Sequence, residues 1–202
     1  MNDDAPLRAD AQRNRERILM AAEEVFLERG ANAALEEVAK RAGVGIGTLY
    51  RRFPTREELL AAAYSARFET FAETSRSRDA ELDPLSAMRV YLEELVQHTN
   101  VYRGLSASLG TVLQVGTPGC VATSEEGVRL LQRAQKAGVV RSDIRFNDIV
   151  CMATAISLAT EQPHSKARIA HLVGVFVNGI RTRCSSQERR VRSANGRVDS
   201  RG

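Results

Sequence analysis

The sequence predicts an all-α protein with an N-terminal three-helix unit, containing a helix-turn-helix, followed by a larger helical domain. Three observations predict it. Apolar residues recur at i, i+3, i+4 and i+7 along most of the 202 residues. No stretch alternates apolar and polar as a half-buried strand does. Residues 35–59, LEEVAKRAGVGIGTLYRRFPTREEL, spell two short helices, a tight turn, a proline stop and a new helix cap.

Residues 1–17 are polar and carry Arg8, Arg13, Arg15 and Arg17, a basic arm suited to a DNA backbone or minor groove. Ile18, Leu19, Ala22, Val25 and Phe26 then make one apolar face of a first helix that ends at Gly30. Leu35, Val38, Ala39 and Ala42 form the buried face of the next. Gly43 follows, where a left-handed residue commonly ends a helix, and Val44 makes the turn. A third helix is expected from about Gly45 to Phe53, with Leu49 and Phe53 inward. Pro54 stops it, because proline disfavours the helical region for the residue before it. Thr55 and Glu58 form a capping box that starts a longer helix bearing Leu60, Tyr64, Phe68 and Phe71.

Ser75 to Asp83 reads as a polar connection, and Asp83-Pro84 as a helix start. The helix from Pro84 carries two apolar sectors. Leu85, Met88, Leu92, Val96 and Thr99 make the inner one; Tyr91, Leu95, His98 and Tyr102 make the second. Two tyrosines and a histidine suit a pocket for a partly polar small molecule; the alternative is a face packed on a neighbouring helix with its polar tips in water. Gly104, Gly110 and Gly116 interrupt residues 103–116, which read as a pocket wall or a connector. Thr117-Pro118 opens another helix and Gly138 closes it. The last two helices are expected at about Asn147–Thr160 and Ser165–Arg183. On the second, Ile169, Leu172, Val173, Phe176 and Ile180 share a face that Val175 and Val177 widen, which suggests burial on more than one side.

Charge supports a nucleic-acid reading of the helix-turn-helix. From Val38 to Arg56 there are five bases, Lys40, Arg41, Arg51, Arg52 and Arg56, and no acid. Arginine forks match phosphate oxygens, and a tyrosine such as Tyr50 can donate to another. A solvated basic face has the same composition; the turn, the stop and the cap favour DNA. Gly45, Ile46, Gly47 and Thr48 open the recognition helix, the part that meets base edges. Ile46 can touch a thymine methyl, Thr48 can do so or hydrogen-bond, and Gly47 admits close backbone approach.

The stretch GVGIGTLYRRFPTREELLAA resembles the DNA-binding domain of TetR-type transcriptional regulators. The match runs through Val44, Gly45, Ile46 and Gly47, Thr48-Leu49-Tyr50, Phe53, and Arg56-Glu57, and is close over roughly residues 13–60. The resemblance implies a homodimer joined by its last two helices. It implies a repressor on double-stranded operator DNA, released by a small-molecule effector held in the larger domain. Tyr50, Arg51, Arg52 and Arg56 are the expected phosphate contacts, Tyr50 and Arg56 most strongly by motif. An effector pocket is expected among Tyr64, Phe68, Met88, Tyr91, Leu95, His98, Tyr102, Leu109, Leu113 and Cys151. One departure matters: Ala34 stands where many relatives cap the second helix with Thr or Ser, and alanine cannot cap by side chain. Glu36 and Glu37 behind it suit the helix dipole but would repel phosphate.

The expected division is 1–56 for the DNA-binding domain with its arm, 57–183 for effector binding and dimerisation, and 184–202 for a basic tail. Seven arginines against Glu188 and Asp199 after residue 180 supply the net charge of +4, so overall basicity says little about the DNA site. The polar N-terminus and the lack of long apolar runs predict a cytoplasmic protein that neither spans nor anchors in a membrane. Cys120, Cys151 and Cys184 have no metal-type spacing and read as free thiols, Cys151 buried on a helix. His98, His164 and His171 lie in no nucleophile or metal arrangement, so neither an enzyme nor a cofactor is expected. The rival reading is a helical interaction protein whose basic face binds polyanions without sequence preference.

Overall fold

A computed structural model describes residues 4–78, 80–161 and 165–182, with backbone alone for residues 4–9. Among these residues the chain forms nine α-helices and one 3-10 turn, with no strand beyond an isolated bridge between Val140 and Arg181. The first four helices are α1 (Asp4–Arg29), α2 (Leu35–Arg41), α3 (Ile46–Arg52) and α4 (Arg56–Ser77). After them come α5 (Pro84–Asn100), the 3-10 turn Ser106–Ser108, α6 (Leu109–Gln114), α7 (Pro118–Lys136), α8 (Phe146–Thr160) and α9 (Lys166–Gly179). None of these helices is long and apolar enough to cross a membrane.

The starts and stops follow local chemistry. Gly30 and Gly43 take φ of +90° and +66°, the left-handed values that end α1 and α2. Thr55 accepts from the Glu58 backbone N–H, and Asp83 from those of Leu85 and Ser86. Thr117 does the same for Cys120. Ala34 precedes α2 with no side-chain cap.

Helix α4 is the spine. Its first turns bury Leu59, Leu60 and Ala61, and its later ones Tyr64, Phe68 and Phe71. Ile18, Ala22, Val25 and Phe26 of α1 share this core with Leu35, Val38, Leu49 and Phe53. On the other side α7 runs along α4 in the most extensive helix pair of the molecule. Gly119 makes that approach possible. Its backbone N–H donates to Ser65 Oγ at 2.9 Å, and a Cβ there would fall 2.0 Å from the Ser65 carbonyl oxygen. Helix α5 packs on α7, α8 and α9.

Two expectations are corrected, the separate arm and the buried Cys151. The arm is not separate: residues 10–17 continue α1, with Arg13 paired to Asp10 and Arg17 to Asn14 one turn back. Within residues 103–116 the 3-10 turn and α6 bury Ser106, Leu109, Val112 and Leu113. Cys151 is exposed, because it lies on the face of α8 opposite buried Val150 and Ala153. Val173 is wholly buried within the protomer. Arg8's side chain, His164, Cys184 and the basic tail lie outside the described residues.

Candidate nucleic-acid interface and effector cavity

Helix α3 divides by face. Leu49 is fully buried and Phe53 nearly so, which seats the helix on α1 and α2. Ile46 at 36% and Tyr50 at 45% are exposed, large and apolar or aromatic. Gly45, Gly47, Arg51 and Arg52 are exposed with them, and Thr48 is half-buried. Ile46 and Tyr50 stand four residues apart and both are exposed; Ile46 is so although it lies three residues before buried Leu49, at the first position of α3. The Arg51 guanidinium donates to Thr48 Oγ1 at 3.0 Å, which steers it along the helix.

The five bases do not act alike. Arg41 forks onto Glu28 at 2.7 and 2.9 Å and so ties α2 to α1. Arg56 is half-buried, and its Nη1 donates to the carbonyls of Ala31 and Ala33 at 2.8 and 2.6 Å. It holds the α1–α2 loop, a structural duty that the motif did not disclose. Lys40, Arg51 and Arg52 are exposed. Arg15 adds a guanidinium 5.8 Å above the Phe53 ring, which places α1 beside the same face.

Residues 18–63 match the model of bacterial regulatory proteins of the tetR family, and residues 83–182 that of the SbtR-like transcriptional regulator C-terminal domain. A TetR transcriptional regulator from Streptomyces coelicolor is 34% identical, over 84% of this chain and 99% of that one, with a TM-score of 0.53. The chain belongs to the TetR family of transcriptional regulators. The regulator TtgR of Pseudomonas putida is 37% identical over 86 residues, so this TetR-family chain matches 41% of that relative's length. FadR of Bacillus subtilis in complex with stearoyl-CoA, 17% identical, has a TM-score of 0.55 over 82% of this chain and 98% of that one, and shares the fold.

In this TetR-family protein the residues expected to line an effector pocket separate into two groups. Tyr64, Phe68, His98 and Tyr102 line one cavity of about 20 Å³, together with Arg67, Val101 and Leu105. Met88, Leu95, Leu109 and Leu113 are buried apolar core and do not line it. Tyr91 is also core: its hydroxyl donates to the Thr123 carbonyl at 2.9 Å. Cys151 is on the outer surface. Arg67 and Val101 were legible in principle, each standing three residues beyond a predicted lining residue on the same helix face, Tyr64 and His98.

The cavity is chemically uneven. The rings of Tyr64 and Tyr102 stack with centroids 4.0 Å apart, yet among the described residues neither hydroxyl has a hydrogen-bond partner. Burial pushes both hydroxyls' pKa upward, so both remain protonated donors. Arg67 sits over the Tyr102 ring at 5.5 Å and pairs with Glu23 of α1 at 2.9 Å. The His98 ring lies tilted at 50° to Phe71, centroids 5.2 Å apart, and is partly open to solvent. Partial burial lowers its pKa, against the pull of Glu94 and with the push of Arg67, which favours the neutral ring. Beyond His98 and Val101 lies an open groove of about 340 Å³ walled by Thr70, Phe71, Thr74, Glu94 and Gln97.

Proposed function

We propose that the chain is a homodimeric repressor that binds double-stranded operator DNA through two α3 helices and is released by a small-molecule effector. The observation that carries this reading is the outward face of α3, where Ile46 and Tyr50 stand exposed beside Arg51 and Arg52. Gly45, Ile46, Gly47 and Thr48 meet base edges; Tyr50, Arg51 and Arg52 meet phosphates. Arg56 acts mainly through the loop it holds. Residues 1–56 form the DNA-binding domain and 57–183 the effector and dimerisation domain, both within the cytoplasm. Regulation, without catalysis or a cofactor, is the proposed activity.

Dimerisation is supported by the outer faces of α8 and α9. Leu158 is 51% exposed and Val175 59%, with half-buried Leu172 and Phe176 beside Val175 on α9. Exposed apolar residues of this size suit a second copy of the chain. Two-fold pairing would set the α3 helices against half-sites one helical turn apart, about 34–36 Å. An effector that favours another spacing would loosen the complex.

Footprinting the purified protein on the DNA upstream of its own gene tests the reading. Protection of one palindromic site at nanomolar protein, lost in Arg52→Ala, is expected. Equal protection of every sequence would overturn it in favour of a general polyanion binder.

A further inference from the structure

We infer that the Tyr64–Tyr102 cavity and the groove beyond His98 form the effector site for a flat aromatic molecule bearing a carboxylate, which takes Arg67 from Glu23. The inference rests on the effector-released reading above and gives its ligand a chemistry.

Two tyrosines line one small space. Tyr64 is 1% exposed and Tyr102 3%, and among the described residues no acceptor reaches either hydroxyl. A buried donor without an acceptor costs free energy, and an ionised acceptor repays it best. A cavity of about 20 Å³ has room for about one water-sized polar atom, such as a single carboxylate oxygen. Arg67 lines the same cavity and supplies the countercharge. Its present partner Glu23 is 40% exposed and Arg67 50%, so their ion pair is weakly held and open to exchange. Glu23 is left to solvent when the exchange occurs.

The rest of the ligand is set by the groove. It shares His98 and Val101 with the cavity, and it is lined by Phe71 and the exposed His98 ring, which lie tilted at 50° with centroids 5.2 Å apart. Ring faces favour a flat aromatic body over a branched aliphatic one. The neutral imidazole adds no charge against it.

The position explains how binding would be felt at the DNA. The Arg67–Glu23 pair joins α4 to α1. Next to Tyr102, the Arg103 carbonyl accepts from the Ala31 backbone N–H at 2.7 Å, and Arg56 holds the carbonyl of that same Ala31 at 2.8 Å. Gly30 fits only because it lacks a side chain: a Cβ there would lie 2.7 Å from the Arg103 oxygen. A carboxylate that breaks the ion pair and shifts Tyr102 therefore disturbs these two polar links between the α1–α2 unit and the larger domain at once.

Calorimetry on the full chain with 1-naphthoate and its uncharged isostere 1-naphthamide tests the site. Naphthoate is expected to bind one per chain, with the amide at least about tenfold weaker. Tyr64→Phe with Tyr102→Phe should weaken naphthoate about tenfold while keeping both rings, and Arg67→Gln should do likewise. Glu23→Gln should tighten it several-fold, because the competitor for Arg67 is gone. Thermal melts confirm that each variant folds, and the single Tyr102→Phe variant serves if the double does not. No naphthoate binding at millimolar concentration, equal binding of acid and amide, or indifference to the tyrosine and arginine changes would overturn the inference. Footprinting the same samples separates the two readings. Operator protection relieved by a non-acidic compound sinks the carboxylate site and keeps the repressor. Naphthoate binding with the predicted variant pattern, but no operator protected, keeps the site and sinks the repressor.

Discussion

In the helix-turn-helix the groups that lack an internal partner stand outside, whereas in the larger domain they are buried. Helix α3 presents Ile46, Tyr50 and Arg52 to solvent. Around α4 and α5, the hydroxyls of Tyr64 and Tyr102 are sealed in with no acceptor. Both arrangements reserve polar or apolar capacity for something not in the chain. They differ in what that something must be. A face left in water at little cost suits a large, highly charged rod approached from one side. A buried, unpaired donor costs stability and suits a small molecule that can be enclosed. Arginine shows the same division within one motif: Arg41 and Arg56 are consumed by the fold, Arg51 and Arg52 are not.

The sharpest break between inner and outer positions should come on α9. Val173→Glu places a charge at a wholly buried site and is expected to unfold the protein, a loss above about 4 kcal/mol in denaturant titration. Val175→Glu, two residues on and 59% exposed, should leave the protomer folded and yield monomers by sedimentation. A folded Val173→Glu monomer would show that the α9 faces are assigned backwards. The same contrast on α3 is smaller. Leu49→Ala should cost about 2–5 kcal/mol of stability, as for other buried leucines. Ile46→Ala should leave the melting curve within about 0.5 kcal/mol and change preference at one base pair per half-site by about 1 kcal/mol or more. Selection on a library of operator variants reads the second effect directly.

The helix-turn-helix was more legible in the sequence than the cavity, and the reason is physical. Its geometry rests on local chemistry: Gly43 at positive φ, Pro54 after α3, Thr55 capping α4. Each acts within four residues, so spacing alone discloses it. The same holds for Asp83-Pro84 and Thr117-Pro118. The cavity depends on residues brought together from α4, α5 and the segment after α5, and periodicity says which face is apolar without saying what it meets. Hence Tyr64, Phe68, His98 and Tyr102 came together as expected, while Tyr91 on the same stripe as His98 reached Thr123 instead. Cys151 was misplaced for a related reason. Helix α8 is apolar on its outer face too, with Ala155, Leu158 and Ala159 exposed, so a period of 3.6 could not tell inside from outside. Arg56 matched the motif, but its bonds to Ala31 and Ala33 span 25 and 23 residues and no local pattern encodes them.

Arginine variants test the division at the DNA face. Arg52→Ala should weaken binding to all sequences alike and flatten the salt dependence by about one unit of slope, as for one lost phosphate contact. Arg56→Ala should instead lower stability by about 1–2 kcal/mol, since two loop carbonyls lose a charged donor. Its effect on operator affinity should be accompanied by an earlier thermal transition, with a smaller change in salt slope than Arg52→Ala. Equal salt slopes and equal melting points in the two variants would erase the distinction between structural and DNA-facing bases.

The smallest effects are expected among the tyrosines, and they bear most directly on the buried side of the comparison. Tyr91, Tyr64 and Tyr102 are all buried, within a few residues' reach of the same helices. Of the three, only Tyr91 has an acceptor among the described residues, the Thr123 carbonyl at 2.9 Å. Removing its hydroxyl in Tyr91→Phe should cost about 1 kcal/mol, the usual net worth of such a bond. Tyr64→Phe and Tyr102→Phe remove donors that satisfy nothing in the protein, so their cost should be near zero or slightly negative, within about 0.5 kcal/mol. At this chain length that is a shift of about 2 °C or less in melting temperature, against about 2–4 °C for Tyr91→Phe. The ring stacking of Tyr64 on Tyr102 survives in every case, so packing does not confuse the comparison. If Tyr64→Phe or Tyr102→Phe cost as much as Tyr91→Phe, their hydroxyls would already be satisfied by ordered water, and the drive to enclose an anionic ligand would be correspondingly weaker.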